Sequence, residues 1–179
     1  DPLRNQETFY RNAASSRRTG AEFYLNYSPS RRLELQAAYT FSGFQYTNAA
    51  PIQVVMDDPA IRKYIVDGNW LPNSPRHQLY VDLQYNVTSK TSVGVSAEAQ
   101  GKTFIDCANV ESEAAAGYTL VHARARYGLK VAGVEGEFVL QLRNILDTKY
   151  VAFTEPDPGG NAYQPGSGRE IFGGLRIRL

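Results

Sequence analysis

One cysteine (Cys107), one methionine and one tryptophan are present among 179 residues. A single cysteine excludes an intrachain disulfide framework and a thiolate metal cluster. No stretch approaches the ~20 consecutive apolar residues that a membrane-crossing helix needs, so a helical membrane protein is excluded. An excess of one charge sign is also missing. The 19 Lys and Arg against 18 Asp and Glu leave a formal charge of +1, which argues against nucleic acid as the main partner. The opening Asp1-Pro2-Leu3 carries no initiator Met, basic segment or apolar signal core, and the expectation is that the sequence starts inside a longer protein. A hydrophobic share of 42% is too high for a disordered chain. Two classes survive. One is a soluble all-β protein. The other is a membrane β-barrel, whose alternating strands keep mean hydropathy low, here −0.40.

Alternation is what the sequence has in quantity. Helical periodicity is nearly absent, and period-two runs cover most of the chain. Phe23, Leu25 and Tyr27 lie opposite Glu22, Tyr24 and Asn26, and Leu33, Leu35, Ala37 and Tyr39 opposite Glu34, Gln36, Ala38 and Thr40. Leu79, Val81, Leu83 and Tyr85 alternate with Tyr80, Asp82 and Gln84, and Val93, Val95 and Ala97 with Gly94, Ser96 and Glu98. Val121, Ala123, Ala125 and Tyr127 oppose His122, Arg124 and Arg126; Phe138, Leu140 and Leu142 oppose Glu137, Gln141 and Arg143; Ile171, Leu175, Ile177 and Leu179 oppose Glu170, Arg176 and Arg178. This predicts about seven strands of roughly ten residues, longer than soluble strands and suited to tilted membrane spans. Short turns fall near 29–32, 88–91 and 130–136, and long connections near 48–75, 105–117 and 150–168. That asymmetry is expected of a barrel with short periplasmic turns and long extracellular loops.

The 12 tyrosines fit this picture. Tyr27, Tyr85 and Tyr127 each sit on the apolar face shortly before a short turn, where a periplasmic aromatic girdle is expected; the alternative is that they rim the core of a soluble sandwich. The other face carries Glu22, Glu34, Asp82, Glu98, Arg124, Arg126, Glu137, Arg143 and Arg176. Burying so many unpaired charges would cost several kcal/mol per ion, so this face must meet water or a polar partner. It is a barrel lumen in one class and a solvated outer face in the other.

Particular segments resemble TonB-dependent outer-membrane receptors. Arg143-Asn144-Ile145-Leu146-Asp147-Thr148-Lys149-Tyr150 is similar to the Asn-Leu-Phe-Asp-x-x-Tyr signature near the end of those barrels. Pro165-Gly166-Ser167-Gly168-Arg169 followed by Gly174-Leu175-Arg176-Ile177-Arg178-Leu179 resembles the family's last strand. Arg18-Thr19-Gly20-Ala21-Glu22, Pro75-Arg76-His77-Gln78-Leu79 and Gly117-Tyr118-Thr119-Leu120-Val121 occur in the family's order. Two positions depart from the pattern: Leu179 stands where a terminal aromatic is usual, and Leu146 where Phe is commoner.

The resemblance implies an all-β, antiparallel transmembrane β-barrel. The chain would supply about seven C-terminal strands of a barrel of about 22. Residues 1–16 would be the end of an extracellular loop and 17–179 barrel strands, with the plug domain absent from this chain. The family role is energy-coupled import of a scarce nutrient across the outer membrane of a Gram-negative bacterium. The cargo is typically a ferric siderophore, with haem, cobalamin or another large ligand as alternatives. Implied partners are outer-membrane lipid, the rest of the barrel, the plug that the lumen charges would dock, and the TonB complex. The TonB box lies near the N-terminus of family members and is expected outside this chain. No cofactor, resident metal or nucleic acid is implied. The competing reading is a soluble β-barrel binding protein or a self-contained eight-stranded barrel, with residues 6–12 as the eighth strand.

No catalytic constellation is expected. His77 and His122 face opposite sides by parity, no serine sits in a nucleophile elbow, and Gly159-Gly160 lacks a strand-to-helix context. Function is instead expected in the long loops, held by the rigid barrel. In the first loop Asp58 and Pro59 predict the start of a short helix with Ile61, Tyr64 and Ile65 on one face. Arg62, Lys63, Tyr64, Trp70, Phe104, Phe153 and Tyr163 are the candidate contacts for an anionic, aromatic-bearing ligand. Asp106 beside Cys107 invites a metal reading, and an inert, half-buried thiol is the simpler one. Pro156, Pro158 and Gly159-Gly160 read as turn punctuation.

Overall fold

The alternating runs form one antiparallel sheet in the computed structural model, which describes residues 14–48, 50–54, 56–131, 133–156 and 159–178. The expected end of a loop at 1–16 falls almost wholly outside these residues, as do residues 6–12, Asp157, Pro158 and Leu179. The sheet contains β1 (Ser16–Ser30), β2 (Leu33–Tyr46), β5 (His77–Asn86), β6 (Thr91–Gln100), β7 (Tyr118–Val131), β8 (Val134–Arg143) and β11 (Glu170–Arg178), in the order β1-β2-β5-β6-β7-β8-β11. Each strand pairs with its neighbour in sequence along a meander, and the sheet does not close on itself. Two ladders lie in the loops: β3 (Ile52–Val54) with β4 (Lys63–Ile65), and β9 (Val151–Glu155) with β10 (Ala162–Pro165).

Register carries the two faces across the whole sheet. Tyr27 pairs with Leu35, Leu35 with Leu83, Leu83 with Val95, Val95 with Ala123, Ala123 with Leu142 and Leu142 with Ile171. Paired residues share a face, so this rung is apolar from end to end. One position away, Glu34, Gln84, Gly94, Arg124 and Gln141 form a polar rung. Strands of 9–15 residues at ~3.3 Å per residue and a tilt near 45° span roughly the ~25 Å apolar band of an outer-membrane barrel.

The connections alternate. Arg31 and Arg32 turn β1 into β2; the Thr88 hydroxyl accepts from Lys90 N at 3.1 Å and Thr91 N at 3.0 Å to close the next short turn; Gly133 at φ +85° closes the third. At the other end stand three long loops, 47–76, 101–117 and 144–169. The buried apolar side chains among the described residues sit at that end: Ile65, Leu71, Ile105, Ala115 and Leu120. The apolar face of the sheet stays open, with Phe23, Leu25, Leu83, Val95, Ile171 and Leu175 all exposed. A contiguous apolar surface of this kind on a long sheet needs lipid or protein against it.

The helix expected after Asp58 does not form. The Asp58 carboxylate accepts from Ala60 N at 2.8 Å and its carbonyl from Ile61 N at 3.0 Å, which closes a single turn. The chain then enters β4, where Ile52 pairs with Ile65, Gln53 with Tyr64 and Val54 with Lys63. Asp58 and Pro59 are start signals, but a helix this short has little stability of its own, and the β3 ladder supplies the alternative. Tyr64 and Ile65 therefore point to opposite sides, Tyr64 exposed and Ile65 buried.

Candidate functional site

One face of the sheet is a charged wall, and the long-loop end carries a packed loop body. On the wall, Arg124 reaches across β6 to grip Asp82 on β5, with Nη1 2.5 Å from Oδ2 and Nη2 2.7 Å from Oδ1; Nη2 also meets Gln84 Oε1 at 3.1 Å. Gly94 lies beneath that guanidinium, and a Cβ there would fall 2.6 Å from Arg124 Cζ. Glycine at this rung lets the fork lie flat and bind both carboxylate oxygens. Arg176 Nη1 stands 3.5 Å from Glu137, the Glu34 carboxylate accepts from Gln36 at 2.9 Å, and Arg143 covers the ring of Phe172 at 5.1 Å. Some of the wall's charges are thus paired within the wall itself.

Nearer the loops the wall has a recess of about 440 Å³ lined in part by Tyr80, Glu98, His122, Arg143, Asn144 and Glu170. His122 Nδ1 accepts from the Asn144 backbone N–H at 3.2 Å, which leaves Nε2 directed to Glu98 at 3.6 Å. His77 is on the opposite, apolar face, where its Nδ1 meets the Tyr39 hydroxyl at 2.8 Å.

The segment Asn144–Tyr150 ties the wall to the third loop. Asn144 is buried with φ +46°, and its amide donates to Thr148 O and Ser167 O at 3.0 Å each while its Oδ1 accepts from Thr148 N at 2.9 Å. Asp147, at φ +54°, accepts from Arg169 N at 3.0 Å and pairs with Lys149 at 3.1 Å. Lys149 in turn lowers the Asp147 carboxyl below its usual range. Tyr150 packs its ring on Gly166, where any Cβ would collide with it, and lies 4.5 Å from the ring of Tyr118.

The loop body centres on Lys63. Its Nζ lies 2.6 Å from both Asp106 Oδ2 and Glu113 Oε2, and the side chain is only 10% exposed. Asn161 donates to the same two carboxylates, at 3.3 Å to Asp106 and 2.6 Å to Glu113. Burial opposes the Lys63 charge, but the hydrogen bonds and charges of Asp106 and Glu113 prevail and hold its pKa above the ordinary lysine value. Burial likewise opposes ionisation of Asp106, but Lys63, Asn161 and the Ala108 N–H prevail and hold its pKa below the usual carboxylate value. Burial first, then the Asp106 charge, pushes the neighbouring Cys107 thiol upward, as expected of an inert cysteine.

These shifts set a pH window. A carboxylate with a depressed folded pKa adds stability above its unfolded value, lost as pH falls through the folded one; a raised lysine adds stability below its unfolded value, lost as pH rises through the folded one. Trp70, the only tryptophan of this chain, reports on the same body because its backbone N–H and C=O both bond Asn109. A 5-fluorotryptophan label at Trp70 is expected to hold one resonance between about pH 5 and pH 9. It should shift only in acid beyond the ordinary aspartate range, where the depressed Asp106 carboxyl takes up its proton, and in alkali beyond the ordinary lysine range, where the raised Lys63 loses one.

The structure places the sequence-derived ligand candidates unevenly. Lys63 is held by two carboxylates, Asp106 and Glu113, and its side chain is largely buried. Tyr163 joins the same cluster through its hydroxyl, which donates to Glu113 O at 2.9 Å. Trp70 lies under the Arg76 guanidinium at 4.2 Å, and the half-buried Phe104 has Lys102 Nζ 4.8 Å from its ring centre. Arg62, Tyr64 and Phe153 are exposed. Of the residues that join the loops, the sequence singles out only Asp106, and for a metal and not a bracing role; Glu113, Asn73, Asn109 and Asn161 carry no such mark. Asn73 and Asn109 adopt positive φ, at 52° and 57°, and asparagine's tolerance of that conformation is the one local signal that could have marked them.

An antiparallel meander with one apolar and one charged face, and its long loops at one end, is the wall of a membrane β-barrel. Residues 1–145 match the family described as TonB dependent receptor-like, beta-barrel, and the chain belongs to that family. Its members are outer-membrane proteins of Gram-negative bacteria and act as transport receptors. Among solved structures, the chain is similar to the siderophore receptor PiuA from Acinetobacter baumannii, with 20% identity over 91% of this chain and 22% of that one at a TM-score of 0.74. It is similar to the ferric-catecholate import receptor Fiu from K12 E. coli, with 24% identity over 97% and 22% at 0.67. The ferric citrate transporter FecA matches with 20% identity over 91% and 24% at 0.72. At these identities the likeness is one of fold, and the chain spans less than a quarter of each receptor. No curated protein matches the chain.

Proposed function

We propose that this chain is the C-terminal barrel segment of an outer-membrane receptor that imports a ferric siderophore by TonB-coupled transport. The observation that carries the reading is family membership on a sheet with one continuous lipid-suited face and one charged face. The receptors similar in fold are named for siderophore, ferric-catecholate and ferric citrate uptake. In the whole receptor the apolar rungs meet outer-membrane lipid, and Tyr27, Tyr85 and Tyr127 mark the periplasmic boundary. The charged rungs line the lumen. Glu22, Glu98, Arg126 and Arg143 dock the plug, while Asp82–Arg124 and Glu137–Arg176 brace the wall. Arg62, Tyr64, Trp70, Phe104, Phe153 and Tyr163 lie on the loops that the cargo meets first.

The test is uptake of iron-55 presented on a panel of catecholate, hydroxamate and citrate chelates by iron-starved cells with and without the receptor gene. Loss of uptake for one chelate class, dependent on TonB, is expected. Unchanged iron uptake across the panel, with haem or cobalamin uptake lost instead, would overturn the siderophore reading.

A further inference from the structure

The hydrogen bonds at the long-loop end join every pair of the three loops. The first and second are bridged by Lys63 to Asp106 and Glu113, by Asn69 Nδ2 to Cys107 O at 2.9 Å, and by the exchange between Trp70 and Asn109. The second and third are bridged by Asn161, which clamps the same two carboxylates. The first and third are bridged by Asn73, whose Nδ2 donates to Thr154 O at 3.1 Å and whose Oδ1 accepts from the Thr154 hydroxyl. Beneath these bonds Ile65 and Leu71 of the first loop and Ile105 and Ala115 of the second are buried, Ile105 to 2%. Free surface loops lack a buried core and mutual polar closure; these loops have both.

We infer that the three long loops are energetically coupled into one cap, so that loosening one loosens the others, with Lys63 holding them together. The inference concerns coupling between loops and holds whatever the cargo is. Lys63 sits at its centre because, among the described residues, its ammonium is the one cation bonded to two carboxylates, the largely buried Asp106 and the partly exposed Glu113, that would otherwise share only a neutral amide. Removing it leaves Asp106 and Glu113 sharing only the Asn161 amide, so their repulsion acts on the second loop and releases the third. Loops packed independently would respond one at a time.

The test is amide hydrogen exchange on the complete receptor, comparing wild type with Lys63→Met, Asn161→Leu and Lys102→Met. Lys63→Met is expected to speed exchange by about tenfold or more in all three segments, 56–76, 101–117 and 159–169, with the heat-resistant mobility of the folded barrel unchanged. Asn161→Leu, made in the third loop, is expected to speed exchange in the first two as well. Lys102 pairs with Glu111 in the open, with 45% and 72% of the two side chains exposed, and Lys102→Met should leave the distant segments unchanged. Faster exchange confined to the mutated loop in either Lys63→Met or Asn161→Leu, or no change in any loop, overturns the inference.

Discussion

Leu83→Arg is expected to destabilise the assembled barrel by roughly 2–4 kcal/mol, the cost of a cation on the lipid face near the midplane. Leu83 stands in the middle of β5, paired with Leu35 on one side and Val95 on the other. Its side chain is exposed, on the face proposed to meet lipid. Leu140→Arg, paired with Ala125 and Gly173, tests the same face one strand from the edge. The matched control is Gln78→Arg, on the charged face of the same strand and exposed, where the expected change is below about 1 kcal/mol. Urea titration of folding into lipid vesicles reads all three. Equal tolerance of Leu83→Arg and Gln78→Arg would contradict the assignment of the faces.

The second large effect is expected at Asn144, where Asn144→Ala should cost about 2–4 kcal/mol. The substitution removes a donor pair and an acceptor from a buried site, stranding Thr148 O, Ser167 O and Thr148 N, and places a Cβ-bearing residue at φ +46° without asparagine's local hydrogen bonds. Asn144→Gly separates the two causes: it restores the backbone freedom, worth about 1 kcal/mol, and leaves the hydrogen bonds unmade. The loss should show as lower folding efficiency and faster proteolysis at 144–169. The backbone N–H of residue 144 that meets His122 Nδ1 is present in both variants, so a change in the His122–Glu98 orientation would report displacement of the backbone and not loss of the side-chain amide.

How much was legible before any coordinates follows from where each element gets its stability. The seven wall strands read directly from period two, because lipid on one face and a polar interior on the other impose opposite demands on adjacent residues. The short turns were legible for the same reason, as gaps in that alternation. The loops obey no such period. Asp58-Pro59 signalled a helix start from local chemistry, yet the outcome was decided by the β3 ladder. Pro156 and Gly160 read as turn punctuation, and nothing local to them signals the five- and four-residue strands β9 and β10 on either side. From the sequence, Lys63 reads as a ligand contact because an exposed loop lysine is the ordinary case. Its partners lie 43 and 50 residues away, and no local pattern links them. The signature asparagine at 144 was visible as a motif, while its reason, an amide closing three backbone groups, required the fold.

The central claim is that residues alternate between lipid and lumen along every wall strand. Its most direct measurement uses single cysteines, spin-labelled one at a time at positions 81 to 84 and 93 to 96 of the complete receptor in lipid vesicles, in a Cys107→Ser background. Collision with oxygen, which concentrates in lipid, should be high at Val81, Leu83, Val93 and Val95. Collision with a water-soluble nickel chelate should be high at Asp82, Gln84, Gly94 and Ser96. Two opposed period-two profiles are the predicted result; parallel profiles, or water accessibility on both faces, would contradict the account.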